Sequence, residues 1–160
     1  MGKLTHLDTE GRARMVDVSA KERTLRSANA TGVITMGADA LALAMAGNGP
    51  KGSVEGVARI AGIMAAKRTA DLIPLCHPLA LSGAEVAIAP APEGTGLQVT
   101  ATIRTSAQTG VEMEALTAVS VALLTIYDML KAVDTSMTIS GVRLVEKTGG
   151  RSGAYRAETP

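Results

Sequence analysis

Glu85-Val-Ala-Ile88 and Leu97-Gln-Val-Thr-Ala-Thr-Ile-Arg104 are two strand-forming runs separated by Pro90 to Gly96, a linker bounded by turn residues. In the second run Leu97, Val99, Ala101 and Ile103 fall on one face, and Gln98, Thr100, Thr102 and Arg104 on the other. That alternation predicts a half-buried strand, and the short linker predicts that the two runs pair antiparallel as a hairpin. An antiparallel hairpin set between helical segments points to an α+β architecture, because a parallel α/β fold requires a helical crossover between neighbouring strands.

The flanking sequence fits that frame. Ser53 is a good N-cap for a helix running to about Leu72, with Val54, Val57, Ala58, Ala61, Met64 and Ala65 on its apolar face and Pro74 stopping it. Before it, Lys21 to Met36 reads as a long strand ending in Gly32-Val-Ile-Thr-Met36. Asp39 precedes a short helix, Ala40 to Ala46, which Gly47 terminates, and Gly47-Asn-Gly-Pro-Lys-Gly52 follows as a loop expected to be mobile without a ligand. Downstream, Val111 to Val133 reads as a long apolar helix, and Met137 to Val145 as a last strand with an irregularity at Gly141. Met15-Val-Asp-Val18 reads as a short strand where the domain begins. The order predicts one domain over residues 1–160, with mobile ends at about 1–12 and 148–160 unless something orders the tail. The expected architecture is α+β: a ferredoxin-like antiparallel sheet covered on one face by helices.

Composition excludes several classes of function. Sixteen basic and 15 acidic side chains leave a net charge of +1, without the basic surplus that drives sequence-independent binding to nucleic acid. Aromatic content is 1%, two Tyr with no Phe or Trp, which removes the platforms on which single strands stack. Glu112, Glu114, Asp128 and Lys131 interrupt the most apolar stretch, so it is expected to be a core helix rather than a membrane span. One cysteine makes no internal disulfide and no leader-like segment opens the chain, so the expected compartment is the cytoplasm. A core without large rings must pack small residues closely, which makes oligomerisation a remedy for limited burial.

Four groups of residues carry chemistry, and each has a bland account. Lys51 lies between Pro50 and Gly52, in a loop where it could contact an anion or transfer a proton, or simply be an exposed lysine. His77 stands in Asp71-Leu-Ile-Pro-Leu-Cys-His-Pro78, where Pro78 favours an extended backbone that aims the imidazole; a turn histidine satisfied by hydrogen bonds is the alternative. Cys76 beside it reads most simply as a small buried hydrophobe. With one Cys and two His the chain offers no zinc ligand set, and no metal or cofactor is called for. Glu112 and Glu114 occupy a helix's first turn, where the macrodipole alone favours them. Asp128 and Lys131 are neighbours on one helix face, on the bland account an exposed surface pair; Leu124, Tyr127 and Leu130 around Asp128 argue instead for a buried or cleft position in which the pair could act as acid and base.

Lys51-Gly-Ser-Val54, Ala58-Arg-Ile-Ala-Gly-Ile63, Leu72-Ile-Pro-Leu-Cys-His-Pro-Leu79, Gly110-Val-Glu-Met-Glu-Ala-Leu-Thr-Ala118 and Leu124-Thr-Ile-Tyr-Asp-Met129 before Lys131 together resemble the molybdenum cofactor biosynthesis protein C (MoaC) family, the cyclic pyranopterin monophosphate synthases. The similarity runs from Leu4 to Gly153, with Arg151 in Gly-Gly-Arg-Ser-Gly where many relatives are expected to carry lysine. The resemblance implies a ferredoxin-like fold assembled as a homohexamer, a trimer of dimers, with the site near a subunit interface. It also implies a small-molecule triphosphate substrate, (8S)-3',8-cyclo-7,8-dihydroguanosine 5'-triphosphate, converted to cyclic pyranopterin monophosphate with release of pyrophosphate, and no nucleic-acid or membrane partner. By matching position it makes Asp128 the catalytic acid–base residue with Lys51 and Lys131, and assigns Leu75, Cys76, His77, Met113 and Glu114, then Arg26, Glu112 and Lys147, to substrate binding. A non-catalytic nucleotide-sensing module of the same fold, or a purely structural oligomer, are the competing classes.

Overall fold

A computed structural model describes residues 7–8, 10–47, 52–151 and 153–158. The elements are β1 (Thr24–Thr35), α1 (Ala38–Ala46), α2 (Val54–Lys67), α3 (Thr69–Leu72), β2 (Leu81–Pro90), β3 (Gly96–Ala107), α4 (Glu112–Leu130), β4 (Thr138–Thr148) and β5 (Tyr155–Arg156). They build a five-stranded sheet of order β2-β3-β1-β4-β5. Every pairing is antiparallel. Apart from the short α1 and α3 and the edge strand β5, the chain runs β1-α2-β2-β3-α4-β4. Each long helix carries it over one intervening strand, which is the split βαβ plan of the ferredoxin-like fold.

Alternation decides which face of the sheet is covered. On β3, Leu97, Val99, Ala101 and Ile103 are buried, and on β1 so are Ala28, Ala30 and Ile34. The opposite face is polar and cross-linked, with Asn29 donating to the Thr102 hydroxyl (2.9 Å) and Gln98 to that of Thr31 (3.1 Å). α4 lies on the apolar face, its Ala115, Val119, Leu123 and Ile126 fully buried. A Cβ on Gly32 would stand 2.8 Å from Leu123 Cδ1, so β1 needs glycine to let the helix approach. α2 packs on α4 by the same means: a Cβ on Gly62 would be 3.0 Å from the Ala118 carbonyl oxygen. Close helix contact through small residues thus replaces the aromatic filling that this chain lacks.

Several local readings are corrected. Met15–Val18 is not a strand; it carries no regular secondary structure, and the only bridge nearby among the described residues joins Leu7 to Ala13. Ser53 does cap α2, its hydroxyl accepting from Gly56 N–H at 3.0 Å, but the helix ends at Lys67 and α3 resumes beyond Arg68. The inner face of α2 is Val54, Ala58, Gly62, Ala65 and Ala66, whereas Val57 and Met64 are exposed along with Ile60. Gly47, in a left-handed conformation (φ 72°), ends α1 as expected. Gly141 (φ 62°) sits where the β1–β4 register slips between Thr31 and Val33, a β-bulge. Beyond β4 the chain folds back, so that β5 pairs with Glu146 and Lys147.

The turn end of the hairpin is a sensitive point. A Cβ on Gly96 would collide with the Ile34 carbonyl and stand 2.8 Å from Thr35 Cα, both backbone atoms that cannot swing aside. We expect Gly96→Ala to cost about 2–4 kcal/mol in urea unfolding. A cost under about 0.5 kcal/mol would show that β1 and β3 separate there without penalty.

Candidate functional site

The first turn of α4 forms one wall of a cleft made of two adjoining cavities. The first, about 300 Å³, is lined by Leu75, Cys76 and His77 from the α3–β2 loop and by Met113 and Glu114 from α4. A second, about 550 Å³, is lined by Arg26, Glu22, Gln108, Gly150 and Arg151. Lys21, Thr109, Gly110 and Glu112 border both, so the two cavities are neighbours across a shared wall.

Each side chain has a local reason for its position. His77 donates Nε2–H to the Val16 carbonyl at 2.7 Å, which orients the ring and leaves Nδ1 as its second nitrogen for a ligand. The segment misread as a strand is therefore the strap that orients this imidazole. Asp17, next along it, has its carboxyl held below the usual range by the Ser19 hydroxyl and N–H. Glu112 forms an ion pair with Lys147 on β4 at 2.7 Å, both about 70% shielded from solvent at 28% and 29% exposure. Gly110 makes room for it, since a Cβ there would stand 2.7 Å from Glu112 Cδ. Arg26 is anchored through Nε–H to the Ala107 carbonyl (2.9 Å) and Nη2–H to that of Gln108 (3.2 Å).

Glu114 is the buried carboxyl of the site, 4% exposed. Burial pushes its pKa up, and the charge of Glu112 adds to the shift. Burial, then Glu114, likewise raises the Cys76 thiol, which disfavours a thiolate and agrees with its reading as a small hydrophobe. A raised folded-state pKa means that the native protein holds this proton more tightly than the unfolded chain. Ionised Glu114 therefore costs stability above its folded pKa, and the cost fades as pH falls through that value toward the unfolded one. Glu114→Gln should raise the thermal midpoint at pH 8 by about 2–4 °C, with the gain vanishing near pH 4. A lower midpoint at pH 8 would mean that the carboxylate is held by a favourable contact.

Asp128 and Lys131 are placed elsewhere. They pair at 2.7 Å at the C-terminal end of α4, with side chains 58% and 54% exposed, so the expected burial is not met within one chain. The reason is helical phase: Ile126 and Leu130 take the inward positions, while Leu124 is 59% exposed beside Asp128. The partnership survives exposure, as hydrogen bonding to Asp128 and its charge raise the Lys131 pKa and keep it cationic. From Glu114 to Asp128 the helix advances roughly 20 Å. Lys51 lies outside the described residues.

Leu75, Cys76, His77, Met113, Glu114, Glu112 and Arg26 are thus brought to one cleft, Lys147 joins it through Glu112, and Asp128 with Lys131 form a second cluster. Lys21, Thr109 and Gly110 were missed. Lys21 sat in a run read only for strand propensity, whereas Thr109-Gly110, just before two carboxylates at a helix start, was a usable signal. Among the described residues no three His, Cys, Asp or Glu side chains cluster as a metal would require.

The MoaC family pattern matches residues 15–150. A cyclic pyranopterin monophosphate synthase of Chloroflexus aggregans is 60% identical over 156 residues, covering 98% of this chain and 94% of its own length. Proteins of the same name from Methylobacterium sp. and Pelotomaculum thermopropionicum are each 58% identical, covering 99% and 97% of this chain and 99% and 91% of their own lengths.

Proposed function

This chain belongs to the MoaC family, and on that premise we propose that it is a cyclic pyranopterin monophosphate synthase of molybdenum cofactor biosynthesis. The substrate is (8S)-3',8-cyclo-7,8-dihydroguanosine 5'-triphosphate, and the products are cyclic pyranopterin monophosphate and pyrophosphate. The observation that carries this reading beyond the likeness to its relatives is the pair of adjoining cavities at the head of α4, which sets a buried carboxyl and an oriented imidazole beside the cations Lys21, Arg26 and Arg151. A chain of net charge +1 holds a triphosphate only by converging its cations locally, and this cleft does so.

The roles follow from chemistry. Glu114 accepts from ring N–H groups of the purine-derived base, with Leu75, Cys76 and Met113 closing over its faces. Arg26 and Lys147, the latter steered by its ion pair with Glu112, hold the phosphates, joined by His77 through Nδ1 when that nitrogen carries a proton. Ring opening and reclosure need proton transfers, which Asp128, Lys131 and Lys51 carry out as a coupled acid–base group. Closing the cyclic phosphate requires a sugar hydroxyl to attack the α-phosphorus while its bond to the pyrophosphate oxygen breaks, and the cations stabilise the charge that develops.

Because Asp128 lies roughly 20 Å along α4 from Glu114, one chain cannot bring both to a single ligand. The site is completed by the α4 end of a second subunit, in a homohexamer built as a trimer of dimers in the cytoplasm. Exposed Val57, Ile60, Met64, Leu72 and Leu124, on the outer side of α2, α3 and α4, support burial between copies. Incubation with the cyclised dihydro-GTP should release pyrophosphate and form the cyclic monophosphate. Binding without release would favour the sensor, and no binding a structural role.

A further inference from the structure

The turn Gly149-Gly150-Arg151 closes against Arg26. Both glycines have left-handed backbones, with φ of 92° and 79°. A Cβ on Gly149 would stand 3.2 Å from Arg26 Cα, and one on Gly150 would overlap Arg26 Nη1 and lie 2.9 Å from Cζ. The guanidinium is also tied to the end of β3 by its bonds to the Ala107 and Gln108 carbonyls, at 2.9 and 3.2 Å. It is therefore held between the strand end and the glycine turn. Those bonds use two of its five N–H groups, and the others meet no protein acceptor among the described residues. Lys21 and Arg151 line the same cavity of about 550 Å³.

We propose that Gly150 is a positioning residue: by presenting no side chain, it lets the turn lock the Arg26 guanidinium where its remaining N–H groups receive the phosphate end of a polyphosphate ligand, between Lys21 and Arg151. The inference rests on the reading of this cleft as the triphosphate site. Its physical content is that the atoms a Gly150 methyl would meet are the far end of a flexible side chain. The methyl is accommodated by swinging the guanidinium away, not by unfolding the strand, so ligand affinity is lost in preference to the fold. Gly153 provides the control. It is also left-handed (φ 68°), but a Cβ there would meet nothing within 4 Å, so Gly153→Ala carries the backbone strain without disturbing Arg26.

The test is calorimetric binding of inorganic pyrophosphate to the intact protein, the wild type compared with Gly150→Ala, Gly153→Ala, Arg26→Ala and the Arg26→Ala/Gly150→Ala double variant. Gly150→Ala should weaken binding about tenfold or more, as loss of a charge-assisted contact does, while Gly153→Ala changes it less than about twofold. In the Arg26→Ala background Gly150→Ala should have no further effect, because the two act through one guanidinium. Equal effects of the two glycine variants, multiplying effects of Gly150→Ala and Arg26→Ala, or no measurable binding by the wild type would each overturn the proposal. Pyrophosphate binding by a wild-type protein that releases none from substrate would sink the synthase reading and leave the positioning role standing.

Discussion

Asp128→Asn loses at least about a hundredfold in turnover while its oligomeric state and thermal midpoint stay at wild-type values, measured by pyrophosphate release, light scattering and calorimetry. The substitution keeps the side chain's shape and removes its ionisable group, so it isolates proton transfer from packing. Asp128 is 58% exposed, which limits the stability it can contribute, and surface ion pairs of this kind contribute from nothing to about 1 kcal/mol. The variant also withdraws the charge that raises the Lys131 pKa. The basic limb of any residual pH–rate profile should therefore move to lower pH. Near-normal pyrophosphate release would remove Asp128 from the mechanism, and a collapsed midpoint would make it a structural residue.

Legibility in the sequence depended on how much each inference relied on local pattern. Leu97 to Ile103 could be read correctly because alternation on a strand is a property of the strand itself, and from it followed the hairpin, the covered face and the ferredoxin-like plan. The α2 face was read less well. Hydropathy selects Val57 and Met64, whereas Gly62 faces α4 and Ala66 is buried because small size, not apolarity, is what close packing selects. Such positions carry almost no periodic signal. At the site, Glu112, Glu114 and His77 were found because their residue types are informative. The Val16 carbonyl that orients His77, and the turn that closes on Arg26, are backbone contacts across 61 and 124 positions of sequence, which no local pattern encodes. The burial foreseen for Asp128 failed for a related reason: its neighbours are apolar, but apolar neighbours on an outward face are covered only by another molecule.

That last point sets the experiment with the most contrast. If each site joins the α4 head of one subunit to the Asp128–Lys131 end of another, two inactive variants damaged at opposite ends should restore each other when mixed. His77→Ala spoils the cleft and leaves the acid–base pair, and Asp128→Asn does the reverse. In a hexamer assembled at random from equal amounts, about one quarter of sites draw an intact cleft and an intact pair from different chains, so turnover should recover from near zero to about a quarter of wild type. Co-expression from one plasmid with distinct affinity tags ensures mixed assemblies, and purification through both tags removes the parental ones. Asp128→Asn mixed with Lys131→Ala is the control, since both lesions lie at the same end and no combination rebuilds it. Activity no higher than the parents in the His77→Ala mixture would mean that the two clusters never meet at one ligand. The roughly 20 Å along α4 would then separate a binding cleft from an ion pair that has no part in its chemistry.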